Sequence, residues 1–388
     1  MMEVRKKKTL IYVIIAFVVG MAVSGAGTML VFKGALGYVS MPADKYREMA
    51  DTYSKYQKLE GLYQYIDANY YQDIKEEDLI NGACKGLVSG LDDPYSSYMT
   101  ATEYDSWKAS ATGNYSGIGV TFTQDDKGYV IVGVTEKSPA HDAGLKAGDY
   151  ILKIDGKEYD DMDVMAAAIR GKKGTKVKVT YYRDGSQKEV TLVRADIVQE
   201  SVTSRMIDDD TGYIGISSFL ENTAEDFHKA LKDIEDKGAK NLVLDLRDNG
   251  GGLVDSSVDI ADEFLDKGVV TYTEDKNGKK TEYKSKDGKT DLKTVVLVNE
   301  NSASASEILA AALKDNGFKT VGQKTFGKGV IQSTIELKDG SALKLTIMQY
   351  FSPDGHKVHK KGVKPDYAVK NSDDSKEDAQ LDKALSLF

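Results

Sequence analysis

Apolar and polar positions follow several different spacings along this chain, and these spacings divide it into regions. A charge-free stretch runs from Thr9 to Phe32, and residues 43–109 then carry apolar side chains at helical spacing. Residues 113–197 predict short strands around one helix at 162–170. From 201 to 369, predicted strands alternate with predicted helices, which is typical of an α/β core with a partly parallel sheet. The final segment, KEDAQLDKALSLF, predicts a short amphipathic helix.

The N-terminal region has the pattern of a membrane anchor. The basic cluster Arg5-Lys6-Lys7-Lys8 precedes 24 residues without a charged side chain, and about 20 apolar residues are enough to span a bilayer. Because basic residues favour the cytoplasmic side, we expect a single-pass cell-membrane protein whose remaining chain is extracytoplasmic. The alternative is a signal peptide cleaved near Ser24-Gly25-Ala26, which would release a secreted protein.

Length, charge and cysteine content narrow the class of protein. A chain of 388 residues is long enough for several domains and a large core. A net charge of −9 argues against nucleic acid as a partner, because broad nucleic-acid binding needs a basic surface. The single cysteine, Cys84, rules out an intramolecular disulfide.

Two glycines in the middle unit predict a loop that binds a peptide. In YSGIGVTF (115–122) the missing side chains leave backbone N–H groups accessible, and such a nest can hold a terminal carboxylate. A glycine-rich β-turn in an ordinary barrel is the alternative. With Ser138-Pro139-Ala140 and AGLKAGDYILKIDG (143–156), however, the unit resembles a bacterial PDZ domain. The resemblance implies that the chain binds protein C-termini.

If the unit is a PDZ domain, three of its residues are expected to contact or sense the peptide. The N–H groups of Ile118 and Gly119 are the expected contacts of the terminal carboxylate. Arg170, at the end of the predicted helix, could report ligand binding to the rest of the protein.

Three serines follow a predicted strand in NENSASASEILAAALKDNG (299–317), where a helix should begin. Ser304 and Glu307 have the spacing of a capping box, which needs no catalysis. The first turn of a helix is also where a nucleophilic serine gains most from free N–H groups and the helix dipole. The local pattern therefore leaves both roles open.

A catalytic serine needs a base, and the histidines of this chain are poor choices. His141 lies in the PDZ-like unit, His228 in an amphipathic helix, and His356 and His359 in a polar turn with weak metal-site spacing. We therefore expect neither a metal nor a cofactor. Lys328, in KTFGKGVIQ (324–332), is the alternative base, provided that an apolar site lowers its pKa. A solvated lysine in a turn is the simpler interpretation of that segment.

Taken together, the motifs NSASASEILAAALKDNG, TFGKGVIQ and LDLRDNGGG, each after a predicted strand, resemble those of the carboxy-terminal processing peptidases, also called tail-specific proteases. Further matches are GLDDPYSSYM (90–99), ISSFLENTAEDF (216–227) and KGVKPD (361–366). The resemblance runs from about Leu59 to the C-terminus. It implies a multidomain α/β (α+β) protein with an N-terminal membrane helix, a helical N-terminal region, a PDZ domain and a ClpP/crotonase-like protease core.

Position by position, the resemblance implies the following site. Ser304 is the nucleophile, Lys328 the general base and Gln332 the residue that orients the lysine. The oxyanion hole is formed by the N–H groups of Ala305 and of one glycine in the Gly250–Gly252 turn, with Gly251 as the expected donor. Backbone donors at such a turn require close approach, which favours glycine.

The implied organisation is a cytoplasmic tail (1–8), an anchor (9–32), a linker with a helical region (33–112), the PDZ domain (113–197), the protease core (198–370) and a C-terminal helix (371–388). The expected partners are protein substrates, recognised by their C-termini, and the membrane. The resemblance also implies a homodimer formed through the N- and C-terminal helices. The alternatives are a catalytically inactive PDZ scaffold and a serine hydrolase that acts on non-peptide esters.

Overall fold

The computed structural model describes residues 42–286, 289–372 and 377–388. The predicted tail and anchor, residues 1–32, lie outside these described residues. Within them, no helix has both the length and the apolar character needed to cross a bilayer.

The described part of the chain divides into two units, with the boundary between Ile80 and Asn81. The first contains the helix Ala43–Asn69, none of whose residues is buried. Further helices span Glu76–Ser89 and Ala101–Thr112. The helical pattern predicted for 43–109 is therefore interrupted. Pro94 cannot continue a helix, and strand β1 (Ser97–Met99) follows it.

The middle unit consists of antiparallel strands and two helices. The helices span Pro139–Asp142 and Met162–Ile169. The strands are β2 (Asn114–Gly117), β3 (Val120–Asp125), β4 (Gly128–Val134), β5 (Tyr150–Ile154), β6 (Lys176–Arg183), β7 (Ser186–Val193) and β8 (Ala195–Val198). They form a five-stranded sheet in the order β3-β4-β5-β6-β7 and a β2-β8 pair. Ile118 and Ile154 are fully buried in its core, so the apolar alternation of the sequence points inward here.

The α/β core is built on a six-stranded sheet in the order β18-β15-β14-β11-β10-β9. Only β9 is antiparallel to its neighbour. The strands are β9 (Val202–Met206), β10 (Thr211–Ile216), β11 (Asn241–Asp245), β14 (Lys293–Val298), β15 (Lys319–Gly322) and β18 (Tyr367–Ala368). Helices Thr223–Asp236, Val254–Asp262 and Ala305–Asp315 belong to the same large apolar cluster as this sheet. This is the partly parallel α/β arrangement that the alternating pattern predicts.

A second sheet is entirely antiparallel and was not predicted. It contains β1, β12 (Val269–Asp275), β13 (Lys280–Lys284), β16 (Val330–Glu336) and β17 (Ala342–Phe351). Strand β17 pairs with β1, β12 and β16. This pairing joins Ser96 of the GLDDPYSSYM segment to Thr346, 250 residues away in sequence, and places Tyr95 of the same segment beside Lys328.

The predicted C-terminal helix is present at Ala379–Leu385 and is held to the core by an ionic cluster. The Arg247 guanidinium lies between Asp245 and Asp378 and also donates to Gln380. Burial of Asp378 opposes ionisation, but hydrogen bonds from Arg247, from the Leu381 N–H and from Asn371 lower its pKa to about 2. The helix is therefore anchored by charge-assisted hydrogen bonds as well as by apolar contacts.

Candidate active site

The three serines of the predicted helix start have different environments. Ser302 and Ser306 are fully buried, and their hydroxyls donate to the carbonyls of Leu246 and Asn249, both at 2.8 Å. They tie the start of the helix to the glycine turn that follows β11. Ser304 is only partly buried and its hydroxyl makes no capping hydrogen bond. The Glu307 half of the predicted capping box is present, because its carboxylate accepts the N–H of Ser304 at 2.9 Å.

Ser304 also has a strained backbone. Its φ of 57° and ψ of −116° lie in a region that non-glycine residues rarely adopt. Such a conformation costs about 1–3 kcal/mol and persists only where the surroundings impose it. Residues in this state cluster at active sites, where the strain aims a side chain in a direction that relaxed backbone would not give.

The glycine turn after β11 lies directly against Ser304. A Cβ placed on Gly251 would lie 2.7 Å from the Cβ of Ser304 and 3.0 Å from the amide nitrogen of Ala305. The φ of Gly251 is +103°, so only glycine fits there without strain. A Cβ on Gly250, by contrast, would meet no atom within 4 Å. The structure thus brings Gly251 to the serine and leaves Gly250 open.

The two expected oxyanion donors are in different states. Among the described residues, no hydrogen bond engages the N–H of Ala305 at the start of the helix. The N–H of Gly251 donates to Oδ1 of Asn249 at 2.8 Å. A substrate oxyanion would have to compete with that side-chain oxygen for this proton.

Lys328 lies in a tight loop before β16 and is partly buried. Its Nζ is 5.0 Å from the centre of the Tyr95 ring, and Asp93 holds Tyr95 by accepting its N–H at 3.1 Å. The loop itself packs closely, because a Cβ on Gly329 would lie 2.2 Å from the amide nitrogen of His359. The sequence pattern left a solvated turn lysine open, but the structure encloses this side chain.

The surroundings of Lys328 favour a neutral amine. Burial lowers its pKa from the ordinary lysine value, and the ammonium of Lys344 lowers the pKa further. The carboxylates of Asp93 and Glu307 act in the opposite direction. The net direction is downward, which is what a lysine needs to accept a proton near neutral pH. No hydrogen bond joins its Nζ to Oγ of Ser304 in the described part of the chain.

Glu307 was singled out from the sequence only as a possible capping residue, and its environment shows more. It is fully buried, and its carboxylate accepts hydrogen bonds from the Thr325 hydroxyl and from the N–H groups of Ser304, Gly327 and Lys328. Burial raises the pKa of Glu307, whereas these four donors favour the ionised form. Four donors on two oxygens leave no place for a proton, so we describe the group as a carboxylate.

Gln332, the expected orienting residue, does not contact the lysine in this structure. It lies on β16 beside a bulge, and its side-chain amide donates to the Thr346 hydroxyl at 3.0 Å.

Of the histidines, His359 is the one that lies near the site. Its Nδ1 is buried without a hydrogen-bond partner, and burial lowers its pKa. Neither feature is visible in the polar sequence around it.

The loop that was expected to bind a carboxylate has two backbone amides without a hydrogen-bond partner. Ile118 and Gly119 lie between β2 and β3, both are buried, and no hydrogen bond of the described residues occupies either N–H. Their carbonyls accept from the N–H groups of Ala140 and Thr135 at 2.8 and 2.9 Å, which fixes the loop. Arg170 lies over the Tyr115 ring, and its Nη1 is buried without a partner.

Three parts of the chain match known protein families. Residues 210–369 match Peptidase family S41, residues 116–193 match the PDZ domain, and residues 19–103 match the N-terminal domain described as that of the activating protease CtpB.

Two relatives and one solved structure are similar over most of the chain. The carboxy-terminal processing protease CtpA of Bacillus subtilis is 42% identical over 318 residues, which cover 80% of this chain and 68% of the relative. CtpB of the same organism is 36% identical over 380 residues, covering 91% and 78%. The photosystem II D1 C-terminal processing protease is 28% identical, with a TM-score of 0.50 over 81% of this chain and 86% of that one. The chain therefore belongs to the carboxy-terminal processing proteases of peptidase family S41, serine proteases that here carry a PDZ domain.

Proposed function

We propose that this protease is a membrane-anchored extracytoplasmic endopeptidase that cleaves proteins with a Ser304/Lys328 dyad. The observation that supports the proposed dyad is the strained backbone of Ser304. This residue lies next to the Gly251 turn, and its hydroxyl makes no capping hydrogen bond. A lysine with a lowered pKa lies in the adjacent loop. Because its Nζ rests over Tyr95, the proposal requires the lysine side chain to move to Oγ when substrate binds.

In this mechanism, neutral Lys328 accepts the Oγ proton of Ser304 while Oγ forms a bond to the peptide carbonyl carbon. The oxyanion that develops is stabilised by N–H groups of Ala305 and Gly251. The C–N bond then breaks, and the leaving amine takes the proton from Lys328. Water then attacks the acyl carbon while Lys328 accepts one of its protons. The bond from that carbon to Oγ breaks, Lys328 returns the proton to Oγ, and the acid is released.

The reaction of Ser304 with an organophosphonate probe tests the dyad through its pH dependence. Only neutral Lys328 can accept the proton, so the labelling rate should rise with pH through the lysine pKa. Because burial and Lys344 lower that pKa, the midpoint should lie below the ordinary lysine value of 10.5. Mass spectrometry of the labelled peptide gives the rate at each pH. A labelling rate that does not change with pH below 10.5, or labelling of another serine, would contradict the Ser304/Lys328 dyad.

We further propose that the PDZ domain binds the C-terminal carboxylate of the substrate through the N–H groups of Ile118 and Gly119. A peptide with a free C-terminus should bind about 10- to 100-fold more tightly than the same peptide with a C-terminal amide, since hydrogen bonds to a charged group contribute about 1.5–3 kcal/mol. Isothermal titration of the Ser304→Ala protein with both peptides measures this ratio. Equal affinities would contradict carboxylate recognition. The same titration of an Arg170→Gln variant tests whether Arg170 responds to the bound peptide.

The membrane anchor rests on the charge-free stretch 9–32 and the basic cluster before it. Cell fractionation with protease protection should place the full chain in the membrane and a chain that starts at Ala43 in the soluble fraction. A cleaved signal peptide would instead release into the medium a product that is shorter by the residues before the cleavage site near Ser24-Gly25-Ala26. Sedimentation of chains with and without the N- and C-terminal helices tests the proposed homodimer in the same series.

A further inference from the structure

Ser304 and Lys328 are joined through their backbones by two buried side chains, although they lie 24 positions apart in the sequence. On one side, Oε2 of Glu307 accepts the N–H of Ser304 at 2.9 Å and the N–H of Lys328 at 2.8 Å. On the other side, the hydroxyl of Tyr350 contacts the carbonyl oxygens of the same two residues, at 3.0 Å and 2.7 Å. The N–H of each residue of the pair is therefore held by Glu307, and the two C=O groups share the single proton of the Tyr350 hydroxyl.

We propose that Glu307 and Tyr350 form a clamp that positions the nucleophile and the base relative to each other. The clamp is a set of positioning residues, because neither side chain contacts the reacting atoms. The inference rests on the proposed Ser304/Lys328 dyad and adds to it the part of the chain that sets its geometry. It follows from the shared atoms, since one oxygen serves both N–H groups and one hydroxyl serves both carbonyls.

The burial of both residues makes the clamp rigid. Glu307 and Tyr350 are 0% and 1% exposed, so water does not compete for these hydrogen bonds. Oε1 of Glu307 also accepts the hydroxyl of Thr325 at 2.5 Å and the N–H of Gly327 at 2.7 Å, which fixes the loop before Lys328. The carboxylate thus holds the whole lysine loop against the start of the serine helix.

The clamp explains how the backbone strain at Ser304 is maintained. With φ at 57°, the Ser304 backbone would relax unless its polar groups were held. Glu307 accepts the N–H, while the C=O accepts from the N–H groups of Glu307 and Ile308 at 2.8 and 3.0 Å and from the Tyr350 hydroxyl at 3.0 Å. The same contacts fix the lysine backbone, so only the side chain of Lys328 remains to swing between Tyr95 and Oγ.

The two clamp residues differ in charge, and this difference provides the test. Groups from three other segments lie around the Lys328 amine. They are Asp93 and Tyr95 in the segment before β1, Lys344 in β17 and Glu307 in the serine helix. His359 is close to Asp93. Among these groups, the carboxylate of Glu307 favours the ammonium form of Lys328. Removing that charge should move the acid limb of the kcat/KM profile to lower pH, whereas removing the neutral hydroxyl of Tyr350 should leave it in place.

The experiment compares Glu307→Gln and Tyr350→Phe with two matched controls, Glu336→Gln and Tyr98→Phe. Glu336 is an exposed carboxylate at the end of β16, and Tyr98 donates a comparable hydrogen bond to Asn81 at 2.8 Å. Rates are expressed per active site titrated with the organophosphonate probe, so that unfolded protein does not count.

We expect kcat to fall about 100-fold in Glu307→Gln and about 10-fold in Tyr350→Phe with KM nearly unchanged, because a misplacement of about 1 Å can cost 10²-fold. The acid limb should move to lower pH only in Glu307→Gln, and the controls should match the wild type. Wild-type kcat per titrated site in both clamp variants would overturn the clamp, and so would an unshifted acid limb in Glu307→Gln. If Glu307→Gln does not fold, the kcat of Tyr350→Phe decides alone.

Failure of the clamp and failure of the dyad give different results. If Lys328→Ala keeps its turnover, the dyad is wrong and the clamp has no pair to position. If Lys328→Ala is inactive while both clamp variants turn over at the wild-type rate per site, the dyad stands and the clamp alone is wrong.

Discussion

Lys328→Met should lower kcat by about 10⁴-fold or more while KM changes little, because loss of the base removes an interaction made only in the transition state. Methionine keeps an unbranched apolar side chain over Tyr95, so the loss is due to the amine and not to a cavity. Ser304→Ala should lower kcat to a similar extent, since a nucleophile and its base act as a unit and their losses do not add. Steady-state kinetics on a protein substrate, with turnover normalised to protein concentration, measures kcat and KM for the wild type and both variants.

The matched control is Lys324→Met, which removes an exposed lysine from the same loop. It should keep wild-type kcat and KM. If Lys328→Met retained more than about a tenth of the wild-type kcat, another group would have to accept the serine proton. His359 would then be the first residue to test, because its buried Nδ1 has no partner and it packs against the residue after Lys328.

Gly251→Ala should lower kcat by about 10²- to 10³-fold, the range for loss of an oxyanion-hole donor. The new Cβ would lie 2.7 Å from the Cβ of Ser304 and from the carbonyl oxygen of Ala303, so the glycine turn or the serine must shift. The φ of +103° adds backbone strain for any residue with a side chain. Turnover per titrated active site separates this effect from a loss of folded protein.

Gly250→Ala is the control for the same turn. Its Cβ would meet no atom within 4 Å and its φ is outside the left-handed region, so kcat should remain close to that of the wild type. Equal activity of the two alanine variants would show that close approach at Gly251 does not matter for the reaction. Gly252 would then be the next possible oxyanion donor to test, although it packs against the backbone of Phe219 and not against Ser304.

Local patterns predicted the protease core well where one element determines the outcome. The alternation of strands and helices from 201 to 369 predicted the partly parallel sheet, and Ser304 follows strand β14 of that sheet. The serine-rich motif and the lysine loop were identified without coordinates. Which glycine lies against Ser304 was left open by the sequence, because three in a row look alike, and only the packing at Gly251 separates them.

Long-range pairing was beyond the same reasoning. Strand β1 has three residues and lies in a region of helical spacing, so its pairing with β17 gives no periodic signal. That pairing is what brings Asp93 and Tyr95 to Lys328. Tyr350 lies at the end of a strand with no motif around it, and its contact with two carbonyls is visible only in the folded chain.

Residue identity and short-range spacing were enough to single out Ser304 as the proposed nucleophile and Lys328 as the proposed base, since both lie in motifs of a few neighbouring positions. Whether Ser304 caps a helix or presents its hydroxyl, and whether Lys328 is charged, depended on the tertiary structure. The direction of the Ser304 backbone is imposed by contacts from Glu307, Tyr350 and the glycine turn, and the lysine pKa is set by burial and by charges on three other segments. Such quantities depend on groups far apart in the chain, and folding alone brings these groups together.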